Sequence, residues 1–413
     1  MDAIKEAKPG DTVLVSPGTY HESLWLEKWP SGEPGNPITL RAEKGAILDG
    51  YGVEKVGDVW AGINIKDAHD IIVEGFLVQR FDYRIFIDRC ERMVLQKNVM
   101  DCKADPKWAN SYGIRVKSCK DLLFQFNVVK SPRRGEYFTS NYPVSIDGGN
   151  RNIIRYNWVL DGACYDIMTT RHNSDTDIYE NVIRGQTSDD GVELEGGTCI
   201  NLRFFNNLLD CHDGRKGTVS TTPVNVGPIY VVRNVFLCSI QVNKYFNDGT
   251  SGAVHAGHRM CDFGNTFFYH NVFFDPKGGF FRGTCAHGRP VFVNNITWGK
   301  AIPDISQALK APRTSAGYFQ PAADYNLYWD MGKTTKSPTP GLDEHSLFAD
   351  PLFADAGKDD FTVKEGSPAL DKAMRLPNIN DHFAGAGPDI GCFERGSDWS
   401  GRTLKEPLKE DPR

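Results

Sequence analysis

Gln125-Phe126-Asn127-Val128-Val129 and Arg155-Tyr156-Asn157-Trp158-Val159 are two copies of one phrase, an Asn set between short apolar runs. The phrase also occurs around Asn98, Asn181, Asn207 and Asn234, and in weaker form at Asn271, Asn295 and Asn326. The steps from Asn98 onward are 29, 30, 24, 26, 27, 37, 24 and 31 residues. A repeat in the twenties marks a solenoid. The copies alternate or run apolar over four to six residues and are rich in β-branched and aromatic side chains, with Gly, Asp, Asn and Ser between them, so each reads as strand rather than helix. The expected fold is therefore all-β, a parallel β-helix of about ten coils. Coils stack at about 4.8 Å, and an Asn at one position of every coil can bond its own kind above and below. Asn98, Asn127, Asn157, Asn181, Asn207 and Asn234 are accordingly expected to form one mostly buried structural column at a corner of the coil.

The rest of the 413-residue chain fits a single solenoid over residues 1–345, with a C-terminal extension over 346–413 packed on it and a frayed polar tail. Three stretches break the period and are expected to project as loops: 131–143, 244–264 and 300–324. A formal charge of −6 argues against a nucleic-acid partner, and no apolar run approaches membrane-spanning length. A monomer is expected. No signal peptide is visible and the chain starts in mid-motif, so a removed leader and a secreted or periplasmic location are expected.

Ten Cys in a chain this long do not make a disulfide scaffold. Cys90 and Cys119 each follow an inward apolar residue (Ile87, Val116) by three positions, while Cys102, Cys211 and Cys238 each follow a ladder Asn by four. Both sets read as stacked positions. Buried free thiols filling the interior are expected, and a disulfide between Cys211 and Cys238, which fall on consecutive coils at a separation one could span, is the alternative.

Side chains of a strand alternate between its two faces. In Asp189-Asp190-Gly191-Val192-Glu193-Leu194-Glu195, inward Val192 and Leu194 put Asp189, Glu193 and Glu195 outward; Asp190 is alternatively a turn residue. Inward Ile114 and Val116 put Arg115 and Lys117 outward, and inward Val144 and Ile146 do the same for Ser145 and Asp147. The strand Ile240–Val242 presents Gln241 and Asn243, with Lys244 at its end. One sheet thus displays basic, then acidic groups over several coils, a surface suited to an extended polysaccharide or oligosaccharide. Arg133, Tyr137, His255 and Arg259, in the flanking loops, complete the candidate substrate-binding set with Arg115, Lys117 and Asp147. Three carboxylates on one face are kept when a cation or proton sits among them.

The opening Pro9-Gly10-Asp11-Thr12-Val13 and Pro17-Gly18-Thr19-Tyr20 resembles the entry coil of pectate-lyase-like right-handed β-helix proteins. Asp189-Asp190-Gly191-Val192-Glu193 is similar to the Asp-Asp-Gly-apolar-Asp calcium phrase of pectate lyases of polysaccharide lyase family nine. That resemblance implies calcium held by Asp189, Asp190 and Glu193. The family's base, a Lys inside the next coil's strand, has no counterpart in Gly217-Thr218-Val219-Ser220, which leaves Lys216 or Lys244. A β-eliminating lyase needs a uronate carboxylate neutralised and its α-proton removed by a base; Lys244, Lys117 and Arg171 supply such groups. A glycoside hydrolase needs two carboxyls, and Glu193 with Glu195 offers that pair. A carbohydrate-binding β-helix without catalysis is the third reading. His172, His212, His255, His258 and His270 show no metal-ligand spacing, and His255-x-x-His258 lacks the helical setting of a zinc site.

Overall fold

In the structure, a computed structural model, the residues described are 1–55, 59–102, 112–130, 142–164, 168–187, 190–195, 199–212, 217–220, 227–237, 252–256, 262–263, 266–283, 287–288, 291–301, 322–329 and 343–396. They form a parallel β-solenoid, as the Asn-centred period requires. The chain divides into two compact units, 1–194 and 195–406, with residues 407–413 grouped with the first.

In the first unit, three strands per coil stack into three columns. The first column holds Ala61–Lys66, Tyr83–Asp88, Tyr112–Lys120, Tyr142–Asn150, Met168–Ser174 and Asp190–Glu195. The second holds Ile38–Ala42, His69–Glu74, Glu91–Gln96, Leu123–Gln125, Ile153–Arg155 and Asp177–Tyr179. The third holds Ala46–Asp49, Leu77–Gln79, Val99–Asp101, Val128–Lys130, Trp158–Cys164 and Val182–Thr187. Every inter-coil pairing is in parallel register, so like positions superpose: Ile63, Ile85, Ile114, Val144 and Met168 form one fully buried row. Val78, Met100, Val129 and Val159 form another. Burial of such side chains stabilises by about 1.5–3 kcal/mol each, and because each coil touches only its neighbours that gain accrues rung by rung.

The corner between the second and third columns carries the Asn ladder. Asn98, Asn127, Asn157 and Asn181 are all fully buried. The interior rungs Asn127 and Asn157 make the same set of bonds. Asn127 Nδ2 donates to the Leu95 carbonyl at 2.9 Å, the Gln125 carbonyl at 2.9 Å and Asn157 Oδ1 at 3.0 Å. Its Oδ1 accepts from the Asn98 backbone N–H at 3.0 Å and Asn98 Nδ2 at 3.1 Å. The residue before each Asn takes the left-handed conformation: Lys97, Phe126, Tyr156 and Glu180 have φ of 53–55°. For a non-glycine residue that costs about 1–2 kcal/mol, and the carboxamide bonds that close the turn offset it.

The second unit, described by itself, has the same corner. Asn207, Asn234, Asn271, Asn295 and Asn326 are 0–1% exposed and run Oδ1 to Nδ2 through the unit at 3.0–3.1 Å. The weaker copies are therefore full members. Phenylalanines replace aliphatics in the core here, with Phe236 on Phe273 (ring centroids 4.8 Å apart) and Phe268 on Phe292 (4.7 Å). The expectation of an uninterrupted loop over 244–264 is corrected. Gly252–Ala256 is a strand pairing in parallel with Gly279–Gly283, and Asp262–Phe263 pairs with His287–Gly288. The stretch was misread because its strands are short and no ladder Asn introduces them. Tyr142 and Pro143 likewise belong to a strand rather than to the 131–143 loop.

Segment 343–396 rests on the second unit's ladder corner. His270 Nδ1 donates to the Gly391 carbonyl at 3.2 Å, and Nε2 accepts from Asn294 Nδ2 at 3.0 Å and Asn380 Nδ2 at 2.8 Å. Burial, reinforced by the Arg233 guanidinium, pushes the imidazole down to about 3. It is held neutral, and the unfolded chain takes up its proton first.

Two outcomes follow from this construction. Asn127→Ala leaves buried peptide groups on two coils without partners, with an expected cost of about 2–4 kcal/mol in urea unfolding; an exposed Lys97→Ala control should cost little. For His270 the folded value lies below the ordinary 6.5, so its contribution to stability is complete above about pH 6.5 and is lost as pH falls toward 3. The slope approaches about 1.4 kcal/mol per pH unit. His270→Gln should flatten that part of the profile, and a wild-type difference that stays constant between pH 7 and 4 would refute it.

Candidate functional site

The outward positions of the first unit's first column form rows in strict register. One row reads Lys66, Asp88, Lys117, Asp147, Arg171, alternating in sign at every coil. It extends to Glu193, whose Oε2 accepts from Arg171 Nη2 at 3.0 Å. The next row reads Asn64, Phe86, Arg115 and Ser145, of which Asn64, Phe86 and Ser145 are buried. The alternation that turns Arg115, Lys117 and Asp147 outward also buries Ile114, Val116, Val144, Ile146, Val192 and Leu194 completely.

Charge converges on Asp147. Its Oδ2 accepts from Arg115 Nη2 at 3.0 Å and its Oδ1 faces His172 Nδ1 at 3.0 Å. Arg115 also donates to Ser145 Oγ, and its guanidinium lies 5.8 Å from the Tyr112 ring centre. His172 occupies a left-handed corner position, φ 52°, directly after Arg171, which swings its ring back over the Asp147 coil. Its side chain is 53% exposed. Beside this cluster Tyr83, Tyr112 and Tyr142 stack in register, ring centres 4.7 and 5.5 Å apart. Burial pushes the Tyr83 and Tyr112 phenols up, so both stay protonated donors. Phe86 lies between two ammonium groups, Lys66 at 5.6 Å and Lys117 at 6.0 Å from its ring centre.

Arg115, Lys117, Asp147, Arg171 and Glu193 are thus brought onto one face. Glu193 is only 6% exposed and bound by Arg171. Asp190 begins its strand and Cys211 lies on the strand Leu208–His212, but their side chains, and that of Glu195, lie outside the description, and Asp189, Arg133, Tyr137, Lys216, Lys244, Arg259 and Cys238 lie outside the described residues. His255 lies on the strand Gly252–Ala256, paired with Ser220 and Arg282, rather than in a projecting loop. Among the described residues no three His, Cys, Asp or Glu side chains converge as a metal-holding group. The Tyr stack and the Asp147–His172 pair went unpredicted. The first was detectable, since Tyr83, Tyr112 and Tyr142 each precede an inward aliphatic residue by two positions. The second depends on a left-handed corner that no local pattern announces.

The fold and this face define a parallel β-helix with a charged, aromatic-flanked outer sheet. The chain belongs to the family described as periplasmic copper-binding protein (NosD), whose model matches residues 10–237. An uncharacterized protein of Bacillus subtilis (strain 168), YwoF, is 35% identical over 79 residues, 19% of this chain and 16% of that relative's length. Among solved structures, the family-six alginate lyase AlyGC superposes with a TM-score of 0.50 at 14% identity, over 96% of this chain and 57% of that one. Pectate lyase Pel9A gives 0.47 at 15% identity, covering 95% and 90%. XylC in complex with xylose gives 0.49 at 12%, covering 85% and 83%. At these identities the likeness is one of fold.

Arg171→Ala leaves the Glu193 carboxylate without its guanidinium partner in a nearly buried setting, with an expected loss of about 1–3 kcal/mol. Glu193→Gln combined with Arg171→Ala should recover part of that loss. A double-mutant cycle whose coupling is below about 0.5 kcal/mol would show the pair to be incidental.

Proposed function

We propose that this protein acts outside the cytoplasm on a carboxylate-bearing polysaccharide laid along the first column, cleaving it by β-elimination. The observation that carries this reading is the Arg115–Asp147–His172 cluster, with Arg171 in register beside Asp147. A uronate α-proton becomes removable when the adjacent carboxylate is neutralised. Arg115, Lys117 and Arg171 supply that positive charge. His172, its Nδ1–H donating to Asp147, keeps the lone pair of Nε2 for the proton. The C–H electron pair forms the new double bond, and the β-oxygen of the glycosidic link leaves. The Tyr83, Tyr112 and Tyr142 rings, stacked 4.7 and 5.5 Å apart, offer hydroxyl donors along the same sheet.

Two metals bear on this reading. Asp189, Asp190 and Glu193 are the residues that would hold calcium, which would supply further charge neutralisation. The engagement of Glu193 by Arg171 leads us to assign the neutralising role chiefly to arginine. Copper, the metal of the family's description, takes soft thiolate donors in its reduced state, and Cys90 and Cys119 are the described pair with that chemistry.

The test is a panel of alginate, polygalacturonate and xylan, read both for unsaturated products and for new reducing ends. Unsaturated products from an acidic polymer are expected, with His172→Gln lowering kcat by about 10²–10⁴-fold and Lys244→Ala much less. A larger loss in Lys244→Ala would transfer the base role to that residue. Loss of activity in EDTA, restored by calcium, would assign the neutralising role to Asp189, Asp190 and Glu193. Reducing ends without unsaturation would overturn elimination in favour of hydrolysis by Glu193 and Glu195, and retention of polymer without cleavage would leave a binding protein.

A further inference from the structure

The second column of the first unit has an outer face that the charged site leaves unused. It is bare. The chain takes eight residues from Glu91 to Val99, from Lys120 to Val128 and from Asn150 to Trp158, positions in register on successive coils, so no insertion rises beside it. Two outward rows run along this face. One is aliphatic: Ile72, Val94, Leu123 and Ile153 are in register and half-buried, whereas Val73, Leu95, Phe124 and Ile154, which alternate with them, are fully buried. A continuous aliphatic row left half in water suits a protein contact. The other row is polar and has a direction. Arg155 Nε donates to Gln125 Oε1 at 2.9 Å, Gln125 Nε2 to Gln96 Oε1 at 2.9 Å, and Gln96 Nε2 to Glu74 Oε2 at 2.7 Å. Its two amides therefore run in series from a guanidinium to a carboxylate, positive at one end and negative at the other. Among the described residues no carboxylate pairs with Arg155, whose other bond goes to Tyr179 Oη at 2.8 Å.

Turned end for end, this face matches itself. A two-fold axis parallel to the strands, set between the coils of Val94 and Leu123, keeps each row opposite the same row and reverses its order. Val94 then meets the partner's Leu123, and Ile72 the partner's Ile153. Glu74 meets the partner's Arg155, so the two bond series lie head to tail. At the corner, Arg92 holds Asp70 by two bonds and Arg151 holds Asp121 likewise. Reversed, that row sets Asp70 against the partner's Arg151 and Arg92 against the partner's Asp121. A two-fold axis along the solenoid would instead set the aliphatic row against the polar one. We propose that this face is the self-pairing surface of an antiparallel two-fold dimer, its partner a second copy of this chain. The monomer expected from the sequence is then the dissociated form. Six strands, from Ile38–Ala42 to Asp177–Tyr179, span about 29 Å along the column and six residues about 20 Å across it, roughly 600 Å² per copy. The total of about 1,200 Å² is the small end of specific interfaces, so a dimer that dissociates at micromolar concentration is expected. The face lies on a different column from the polysaccharide site and does not depend on that reading.

The test is sedimentation of the full chain from about 1 to 100 µM, in which the mass should double. Val94→Lys and Leu123→Lys should each raise the dissociation constant by at least about 30-fold. Arg155→Glu, which sets an acid against the partner's Glu74, should raise it by at least about tenfold and Arg155→Lys by much less. Lys66→Ser, on the first column, should leave it unchanged. Should a variant fail to fold, the wild type decides the question: isotope-labelled and unlabelled chains are mixed and treated with a zero-length carbodiimide. Glu91 and Lys120 are in register within one chain and also face each other across the axis, so links between the two isotopes are expected there. A single-chain mass at the highest concentration, a dimer indifferent to both lysine variants, Arg155→Glu no weaker than Arg155→Lys, or no mixed-isotope link would overturn the proposal. So would alginate that binds the single chain and is lost in Val94→Lys, which would assign the face to a polysaccharide.

Discussion

One hydrogen-bonding pattern holds the rest in place: the asparagine carboxamide that bonds at once to its own strand, to the coil before and to the coil after. Each rung satisfies peptide groups that a sharp turn would otherwise leave buried and unpaired. It also tolerates the left-handed residue that makes the turn sharp. Because Asn127 bonds both Asn98 and Asn157, a slip of one residue would break bonds on three coils together. The ladder therefore fixes register. Register in turn fixes which side chain stands over which along the first column, so the charged rows are consequences of a corner on the far side of the second column.

With register fixed, the alternation of Lys66, Asp88, Lys117, Asp147, Arg171 and Glu193 keeps like charges from standing directly over each other. Like charges at about 4.8 Å would oppose stacking, whereas opposite ones support it. Asp147 is shared by Arg115 and His172 and is 30% exposed. Glu193, at 8% side-chain exposure, is enclosed with Arg171 and is the less available of the two acids.

The fold was legible because its determinants are local and repeated. The Asn phrase, the apolar alternation and the cysteine offsets of three residues each report a position within one coil, and stacking turns identical positions into columns. Arg115, Lys117, Asp147 and Glu193 were placed on one face by parity alone. What parity does not encode is diagonal contact. His172 reaches Asp147 of the preceding coil because its own φ is positive. Residues 244–264 were misread for a related reason: an insertion resets the count, and the strand Gly252–Ala256 carries no Asn to restart it.

A ladder must also end, and its last rung exposes the constraint most plainly. In the second unit Asn326 has no asparagine beyond it. Its backbone N–H is taken by Ser346 Oγ at 2.9 Å and its Nδ2 by Asp343 Oδ1 at 3.3 Å. Asp343 in turn accepts from Tyr328 Oη at 2.9 Å and from Ser346 Oγ at 2.7 Å. Burial pushes that carboxyl up, and the three donors around it oppose the shift. A carboxylate is a costlier buried acceptor than an amide, yet it alone offers several lone pairs to donors arriving from three directions. The chain thus closes an open row of amides with a single acid held in segment 343–396. The same segment covers His270 and Asn294, both left-handed residues of the corner. The exposed end and the strained flank of the ladder are satisfied by one stretch of chain, which accounts for a non-repeating segment packed on a repeating one.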